Sequence, residues 1–197
     1  LLLTGFNRRF SPSIQKIKKH LSGPMIINYR MNAGFIPKEH WVHQEEGGGR
    51  NIGEACHIYD LFTYQTNSTV TKISAHSISP LSKQYQINDN FIATMEFSDG
   101  SVATLTYTAL GSKDYPKEHM EIFANGNVFT LEDYKKVTIH GSKESSLTSQ
   151  IANKGQKEEL KAFGSAIQTG STWPIPLWQQ FQATEISFQV ERMLCAE

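Results

Sequence analysis

The chain has 197 residues, enough for one domain with a hydrophobic core or for a domain and a fragment of another. Its 19 Lys and Arg side chains balance 19 Asp and Glu side chains, so no basic patch argues for nucleic acid and no acidic tail for a cation-binding surface. Two cysteines are too few for a disulfide framework and favour the reducing cytoplasm, and no apolar run approaches the roughly 18 residues of a membrane helix.

The N-terminal run from Leu1 to Phe6 has neither the basic leader nor the cleavage site of a signal peptide. An apolar run that ends near a glycine is typical of a buried parallel strand whose carboxyl end opens at a ligand site. A lone parallel strand is not stable without neighbours. We therefore expect residues 1–10 to be the last strand and junction of a truncated Rossmann domain, and residues 11–197 to form a second domain.

Residues 11–24 predict a short helix, and the alternating residues 25–32 predict a strand. One face of this strand carries Arg30 and Asn32 and is polar enough to face a ligand. Residues 34–49 are rich in glycine, charge and aromatic side chains, and predict a long loop.

Three adjacent glycines, Gly47 to Gly49, lead into a helix predicted from about residue 54 to 65. Adjacent glycines occur where the chain needs positive φ or a very close approach. On the helix, His57 and Asp60 are i,i+3 neighbours, and a carboxylate there can orient an imidazole and favour its cation. We expect a reaction site here. The structural alternative is a plain tight turn followed by a buried histidine.

From residue 70 the sequence changes to short β-rich runs. Asp99-Gly100 and Asn125-Gly126 between such runs are strong hairpin signals, so we predict an antiparallel meander of five or six strands. A polar loop and two helices, at about 156–168 and 177–194, follow. Helices packed on one face of a mostly antiparallel open sheet make an α+β domain.

Nucleotide-loop and metal interpretations have little support. Gly48 and Gly53 have the outer spacing of a phosphate-binding loop, but Glu54 stands where the lysine is needed. Cys56 and His57 are adjacent on a helix and diverge, so the region matches no zinc signature. We predict no metal.

A family resemblance rests on four segments, which are Gly5-Phe6-Asn7-Arg8-Arg9-Phe10-Ser11-Pro12, Trp41, Gly47-Gly48-Gly49 and His57-Ile58-Tyr59-Asp60. Together they resemble the junction and C-terminal domain of the glucose–fructose oxidoreductase/inositol dehydrogenase/rhizopine-catabolism (Gfo/Idh/MocA) family. The resemblance spans essentially the whole chain. The run from Ile36 to Val42 is similar to the branch associated with bacterial surface-polysaccharide synthesis.

The resemblance implies a two-domain dehydrogenase whose N-terminal Rossmann domain binds NAD or NADP and whose C-terminal sheet holds a sugar, a nucleotide-sugar or a cyclitol. In that setting His57 takes the proton of a substrate hydroxyl as hydride leaves, and Asp60 orients the ring. The expected substrate contacts are Arg8, Arg30, Asn32, Trp41 and Asn51, and the expected contacts to the cofactor edge are Asn7 and Arg8.

The chain has no Glu-Lys-Pro motif and no Gly-x-Gly-x-x-Gly fingerprint, both of which belong to the N-terminal domain of the family. The resemblance therefore implies that this fragment binds no cofactor by itself and is inactive alone. Its own Rossmann domain is the expected partner. In this family the open face of the sheet often mediates oligomerisation, so we also expect a homo-oligomer formed through the sheet.

One departure leaves a second interpretation open. The family commonly places an Asp four residues before the histidine, where this chain has Gly53. With α-helical spacing, Gly53 and Asp60 lie on one side of His57 and Glu54 on the other, so Glu54 is not expected to replace the Asp. The alternative is a non-catalytic binding or oligomerisation module that keeps the fold without the chemistry.

Overall fold

The computed structural model describes residues 2–78 and 84–195. The helices and strands of these ranges are α1 (Pro12–Lys18), β1 (Ile26–Asn32), α2 (Cys56–Thr66), β2 (Val70–Ser77), β3 (Phe91–Phe97), β4 (Val102–Thr108), β5 (Glu118–Ala124), β6 (Asn127–Glu132), β7 (Lys136–His140), β8 (Leu147–Thr148), α3 (Gln156–Thr169) and α4 (Leu177–Cys195). None of the helices described is both long and apolar enough to cross a membrane.

The eight strands form one sheet in the order β2-β3-β4-β1-β5-β6-β7-β8. β1 lies between β4, to which it is parallel, and β5, to which it is antiparallel. The sheet differs from the predicted meander of five or six strands in two respects, because the first strand in the sequence is inserted at its centre and the short β8 adds a strand within the predicted polar loop. The apolar face of β1 is buried, with Ile27, Tyr29 and Met31 at most 3% exposed, and a neighbour on each edge pairs the backbone N–H and C=O groups that this burial removes from water.

One face of the sheet is covered by helices, as an α+β domain requires. Ile58, Leu61 and Phe62 of α2 have no exposed surface, and Ala183 and Val190 of α4 are equally buried in the same hydrophobic core. Burying each such side chain contributes roughly 1.5–3 kcal/mol relative to leaving it in water. The predicted fold class is confirmed.

The opposite face of the sheet, which we call the open face, keeps its side chains in contact with solvent. Three large apolar side chains stand on it: Ile26 (54% exposed), Ile92 (49%) and Phe123 (41%). Between them the face is polar, as in the paired Thr94 and Thr104 of β3 and β4. Its composition is therefore mixed, with Ile26 and Phe123 directly opposite each other on β1 and β5 and polar side chains elsewhere.

Residues 2–6 are not part of a strand in the structure of this chain, and their assignment to a Rossmann domain stays a prediction. Residues 2–6 make local hydrogen bonds, such as Phe6 N–H to the Thr4 carbonyl, and lead into a 3₁₀ turn, Asn7–Phe10. Leu2 is 70% exposed. An extended segment becomes a strand only where another strand pairs with it, and the part of the chain described here provides none at this position.

Candidate functional site

The glycine segment packs directly against the start of the helix that carries His57. A Cβ atom built on Gly53 would lie 2.1 Å from the carbonyl oxygen of Gly47, so only glycine permits this approach. Gly48 and Gly49 have φ values of 66° and 69°, in the left-handed region. The two conformational needs that the adjacent glycines indicated, a close approach of the backbone and positive φ, are therefore both present.

The helical segment that carries His57 contains a π-helical turn. Residues Asn51–Ala55 form a single π-helical turn, and α2 starts at Cys56. Turns of this kind are rare and are frequently found at functional sites. The positions of Gly53 and Glu54 around the helix relative to His57 were predicted with α-helical spacing. A π-helical turn has more residues per turn, so those predicted positions do not apply.

His57 projects from the first turn of α2 and is partly exposed. Its ring meets the ring of Phe6 edge-on at 5.9 Å, and its Nδ1 atom is buried without a hydrogen-bond partner. Burial, reinforced by the positive charge of Arg8, lowers the pKa of His57 to about 4, although Glu118 and Glu54 act in the opposite direction. The imidazole is therefore neutral at pH 7, and the same burial makes it a weaker base than an ordinary histidine.

Asp60 does not orient His57, which corrects the prediction for this residue. Its carboxylate has no exposed surface and is bound by the guanidinium of Arg9 through two hydrogen bonds, one of them Nε to Oδ2 at 3.0 Å. Burial raises the pKa of Asp60 to about 6 against the opposing effect of Arg9. Arg9 also donates to Gln179, so this ion pair connects the N-terminal turn to α2 and α4.

A second group of charges lies near His57, which we call the Glu118 cluster: Arg8, Tyr29, Glu118, Tyr134 and Lys154. The Glu118 carboxylate is 1% exposed and accepts hydrogen bonds from Arg8, Tyr29 and Lys154. Burial works against its ionisation, but the charges of Arg8 and Lys154 prevail and hold the pKa of Glu118 at about 2. Tyr134 completes the cluster through its hydroxyl contact with Tyr29 at 3.2 Å.

Sequence reasoning missed Glu118 and Lys154. Glu118 is the first residue of β5, where the alternating pattern of the strand does not yet mark it, and no local pattern marks a lysine in a polar loop as a partner. The one sequence feature that could have indicated Glu118 is the position of an acidic residue at the start of an apolar strand, directly after a loop. Arg8, predicted as a ligand contact, has its guanidinium bound to Glu118 instead.

A third group surrounds Glu54, in the π-helical turn. The Nη1 atom of Arg50 donates to Glu54 Oε2 at 2.9 Å, and the hydroxyl of Tyr107 donates to the same oxygen. Burial opposes ionisation, but the hydrogen bonds from Tyr107 and Arg50 outweigh it and keep the pKa of Glu54 below its usual range. The side chain of Glu54 is 34% exposed, so this anion also reaches solvent.

The remaining predicted contacts have partners within the chain. Asn51 is fully buried and donates to the Ser187 carbonyl and to Glu191. The Asn7 amide donates to the Lys154 carbonyl at 2.8 Å. Both side chains therefore hold elements of the fold together, and their predicted contacts to a substrate or cofactor stay predictions.

Arg30 and Asn32 hold the loop that precedes β5. Arg30 donates to the Pro116 carbonyl at 2.9 Å and lies over the Tyr115 ring, and Asn32 donates to the Ser112 carbonyl at 2.7 Å. Trp41 is 62% exposed and has only His40 as an aromatic neighbour at 5.9 Å. Of the predicted substrate contacts, Arg8 is the one whose charge acts on the pKa of His57.

Across residues 2–78 and 84–195, no three His, Cys, Asp or Glu side chains are grouped so that they could hold a metal ion. The neutral imidazole of His57 instead has two charged groups near it, which are the Glu118 cluster and the group around Glu54. Such a site suits acid–base chemistry on a polar, uncharged group.

Comparison with known proteins identifies the same family as the sequence motifs. The model of the GFO/IDH/MocA C-terminal domain matches residues 24–146. An uncharacterized oxidoreductase of Bacillus subtilis, YrbE, is 22% identical over 98% of this chain and 60% of its own length. The chain thus spans about three fifths of that relative.

Solved structures agree with this fold. UDP-N-acetylglucosamine 3-dehydrogenase GnnA from Acidithiobacillus ferrooxidans superposes with a TM-score of 0.79 at 18% identity, covering 98% of this chain and 61% of that protein. A probable dehydrogenase from Thermotoga maritima gives 0.75 at 16% identity, covering 98% and 62%. A levoglucosan dehydrogenase, solved with NADH and levoglucosan, gives 0.72 at 14% identity, covering 97% and 63%.

Proposed function

Because this chain belongs to the Gfo/Idh/MocA family of oxidoreductases, we propose that it is the substrate-binding and catalytic C-terminal domain of an NAD(P)-dependent sugar or cyclitol dehydrogenase. The observation that carries the proposal is His57, a neutral and partly exposed imidazole beside a π-helical turn. Two structural neighbours, one a nucleotide-sugar dehydrogenase and one solved with an anhydrosugar and NADH, support the substrate class and the cofactor.

In this proposal His57 accepts the proton of the hydroxyl that is oxidised. Burial and Arg8 keep the ring neutral before that step, and the nearby anions Glu118 and Glu54 favour the cation that forms when it accepts the proton. The positive side of the Glu118 cluster, Arg8 and Lys154, favours negative charge that develops on the substrate oxygen. A nicotinamide nucleotide supplies the acceptor of the hydride when it is bound.

The residues of this chain do not fit a nucleotide-binding role by themselves. Asn7 and Arg8, predicted at the cofactor edge, have side-chain nitrogens that already donate to Lys154 and Glu118. We therefore propose that a Rossmann domain outside this chain holds NAD or NADP, and that the chain is inactive alone. We also propose a place in surface-polysaccharide synthesis, on the resemblance of residues 36–42, and a cytoplasmic location, which the two free cysteines support.

A second candidate function is a non-catalytic binding or oligomerisation module. Gly53, where the family commonly has Asp, favours it. The open face of the sheet, with its exposed Ile26, Ile92 and Phe123, supports assembly as a homo-oligomer in either case.

The test uses the longer protein that carries this chain together with its proposed Rossmann domain, supplied with NAD or NADP and a panel of sugars, cyclitols and nucleotide-sugars. We expect His57→Ala to lower kcat/KM by about 10²- to 10⁴-fold, the usual contribution of a positioned base. The matched control is His140→Ala, an exposed histidine at the end of β7. Wild-type turnover in His57→Ala would refute the proposal, and no turnover by any form would favour the module.

A further inference from the structure

A pocket lies at the carboxyl end of β1, where this strand meets the loop that precedes β5. Its volume is about 320 Å³, within the range of pockets that hold small molecules. We call it the Lys117 pocket, and the residues that line it include Asn32, Gly34, Phe35, Lys113, Tyr115 and Lys117. His57 is not among the lining residues, so this pocket is distinct from the proposed base.

Contacts connect the Lys117 pocket to the π-helical turn that precedes His57. The carbonyl of Gly34, in the wall of the pocket, accepts a hydrogen bond from Arg50, which pairs with Glu54 at 2.9 Å. Burial raises the pKa of Glu54, and Lys117 is among the groups that lower it. The pocket therefore borders the charged group around Glu54.

The pocket carries cations that no carboxylate neutralises. Lys113 and Lys117 are exposed, and neither side chain has a hydrogen bond or an ion pair among the described residues. Arg30 adds a third cation 4.3 Å from the centre of the Tyr115 ring, and its one hydrogen bond goes to a backbone carbonyl. Asp114 is the only acid of this loop. In a chain whose formal charges balance, this excess of positive charge at one pocket indicates an anionic ligand.

The wall of the pocket is fixed before a ligand arrives. Asn32 is 7% exposed, and its side-chain amide donates to the carbonyls of Ser112 and Tyr115 at 2.7 and 3.3 Å. The backbone N–H of Asn32 donates to the Lys117 carbonyl at 2.7 Å. These bonds hold the loop against the end of β1, so a ligand that binds here orders little backbone.

Two aromatic rings lie at the same pocket. Tyr115 is 58% exposed, and Phe35 is 42% exposed. A base can stack on an exposed aromatic ring while neighbouring cations contact its phosphates, as happens where proteins bind single-stranded nucleic acids. The same combination of groups suits a single nucleotide.

We propose that the Lys117 pocket binds the diphosphate of a nucleotide-sugar, so that the substrate is a sugar linked to a nucleoside diphosphate and not a free sugar or a cyclitol. This inference rests on the proposed function, because it names the substrate class of the same site. Phosphate oxygens accept charge-assisted hydrogen bonds from Lys113, Lys117 and Arg30. A free sugar or a cyclitol has no charge and would leave these cations without a partner.

The test is isothermal titration calorimetry on the longer protein that carries this chain, saturated with NADH so that the proposed Rossmann domain is occupied. The probes are UDP-glucose and UDP-N-acetylglucosamine, each compared with its sugar 1-phosphate and its methyl glycoside. We expect each UDP-sugar to bind about 10- to 100-fold more tightly than the methyl glycoside. Added salt should weaken the binding of the UDP-sugar, because it screens exposed charges.

The variant that locates this binding combines Lys113→Met with Lys117→Met, two exposed positions at which the fold should tolerate the change. It should bind the UDP-sugars about 10- to 100-fold more weakly and the methyl glycosides as the wild type does. The matched control combines Lys72→Met with Lys136→Met, at 70% and 51% exposed side chains on β2 and β7, and should bind both as the wild type does.

Equal affinity for UDP-sugars and methyl glycosides, or an unchanged preference in the folded double variant of the pocket, would overturn this inference and leave the proposed function intact. A sugar 1-phosphate that bound as tightly as its UDP-sugar would overturn the assignment to a nucleotide. Phosphate-dependent binding without oxidation of any sugar by NAD or NADP would support the pocket and refute the proposed dehydrogenase.

Discussion

At the scale of single residues, Asp60 has a different partner from the one that spacing along the helix predicted. Asp60 was expected to orient His57 and is buried with Arg9, whereas Glu54 is 34% exposed and bound by Arg50 and Tyr107. The cause is outside the helix. Arg9 and Tyr107 reach these carboxylates from positions that are 51 and 53 residues distant in sequence.

The buried Arg9–Asp60 pair leads to a prediction about stability. Arg9→Met leaves a buried carboxylate without its partner, which typically costs about 3–5 kcal/mol. We expect a loss of this size in the free energy of unfolding measured in urea. Adding Asp60→Asn to the same chain should recover part of the loss, because the two sites are coupled.

The control is Arg192→Met, which removes a 68% exposed partner of Glu185 and should cost no more than about 1 kcal/mol. If Arg9→Met cost as little as the control, the pair would not hold the N-terminal turn against α2. Asp60 would then be free for another role.

At the scale of elements, the contact between the glycine segment and the π-helical turn is the feature most sensitive to substitution. Gly53→Ala places a methyl group 2.1 Å from the Gly47 carbonyl oxygen. The backbone must move to accommodate it, and such overpacking costs about 1–3 kcal/mol. Thermal unfolding monitored by circular dichroism should show a lower Tm for this variant.

Gly164→Ala provides the matched comparison, because Gly164 lies within α3 and a Cβ atom there meets nothing within 4 Å. In a helix interior the same change usually stabilises by about 0.5–1 kcal/mol. Opposite signs for the two variants are expected. A Gly53→Ala chain as stable as Gly164→Ala would show that the close approach is not required.

Elements with local signals could be predicted from the sequence, and those that depend on distant partners could not. Asp99-Gly100 and Asn125-Gly126 determine their turns locally, and the hairpins β3–β4 and β5–β6 follow as predicted. β1 lies next to β4 and β5, more than 70 residues away in sequence, by burial alone. The π-helical turn has no signal in the hydrophobic pattern.

The same distinction applies to the candidate site. His57 could be found because the glycines and the helix that carries it are adjacent in sequence. Glu118 could not, because its ligands Arg8 and Lys154 are 110 and 36 residues away. Their contact is created by the insertion of β1 and by the docking of the N-terminal turn, neither of which is encoded in a local pattern.

At the scale of the whole molecule, the proposed homo-oligomer can be tested on the two faces of the sheet, since one is covered by helices and the other is open to solvent. If the open face forms the contact between copies, Ile92→Arg places a charge in its interior, and a buried unpaired charge opposes association. We expect the variant to sediment as a smaller species than the wild type in analytical ultracentrifugation.

Phe181→Arg, at a 66% exposed position on α4, is the matched control on the helical side. It should leave the sedimentation unchanged. If Phe181→Arg dissociated the oligomer and Ile92→Arg did not, the interface would lie on the helices instead of the sheet.

The claim on which the functional account depends is that a neutral His57 accepts the substrate proton. The most direct measurement is the pH dependence of kcat/KM for substrate oxidation by the longer protein, in the wild type and in His57→Gln. Since protonation of His57 removes the base, the wild-type rate should fall only as the pH approaches about 4. His57→Gln should be about 10²- to 10⁴-fold slower and should lack this acid limb. A variant that retains the wild-type rate and the same acid limb would contradict the account.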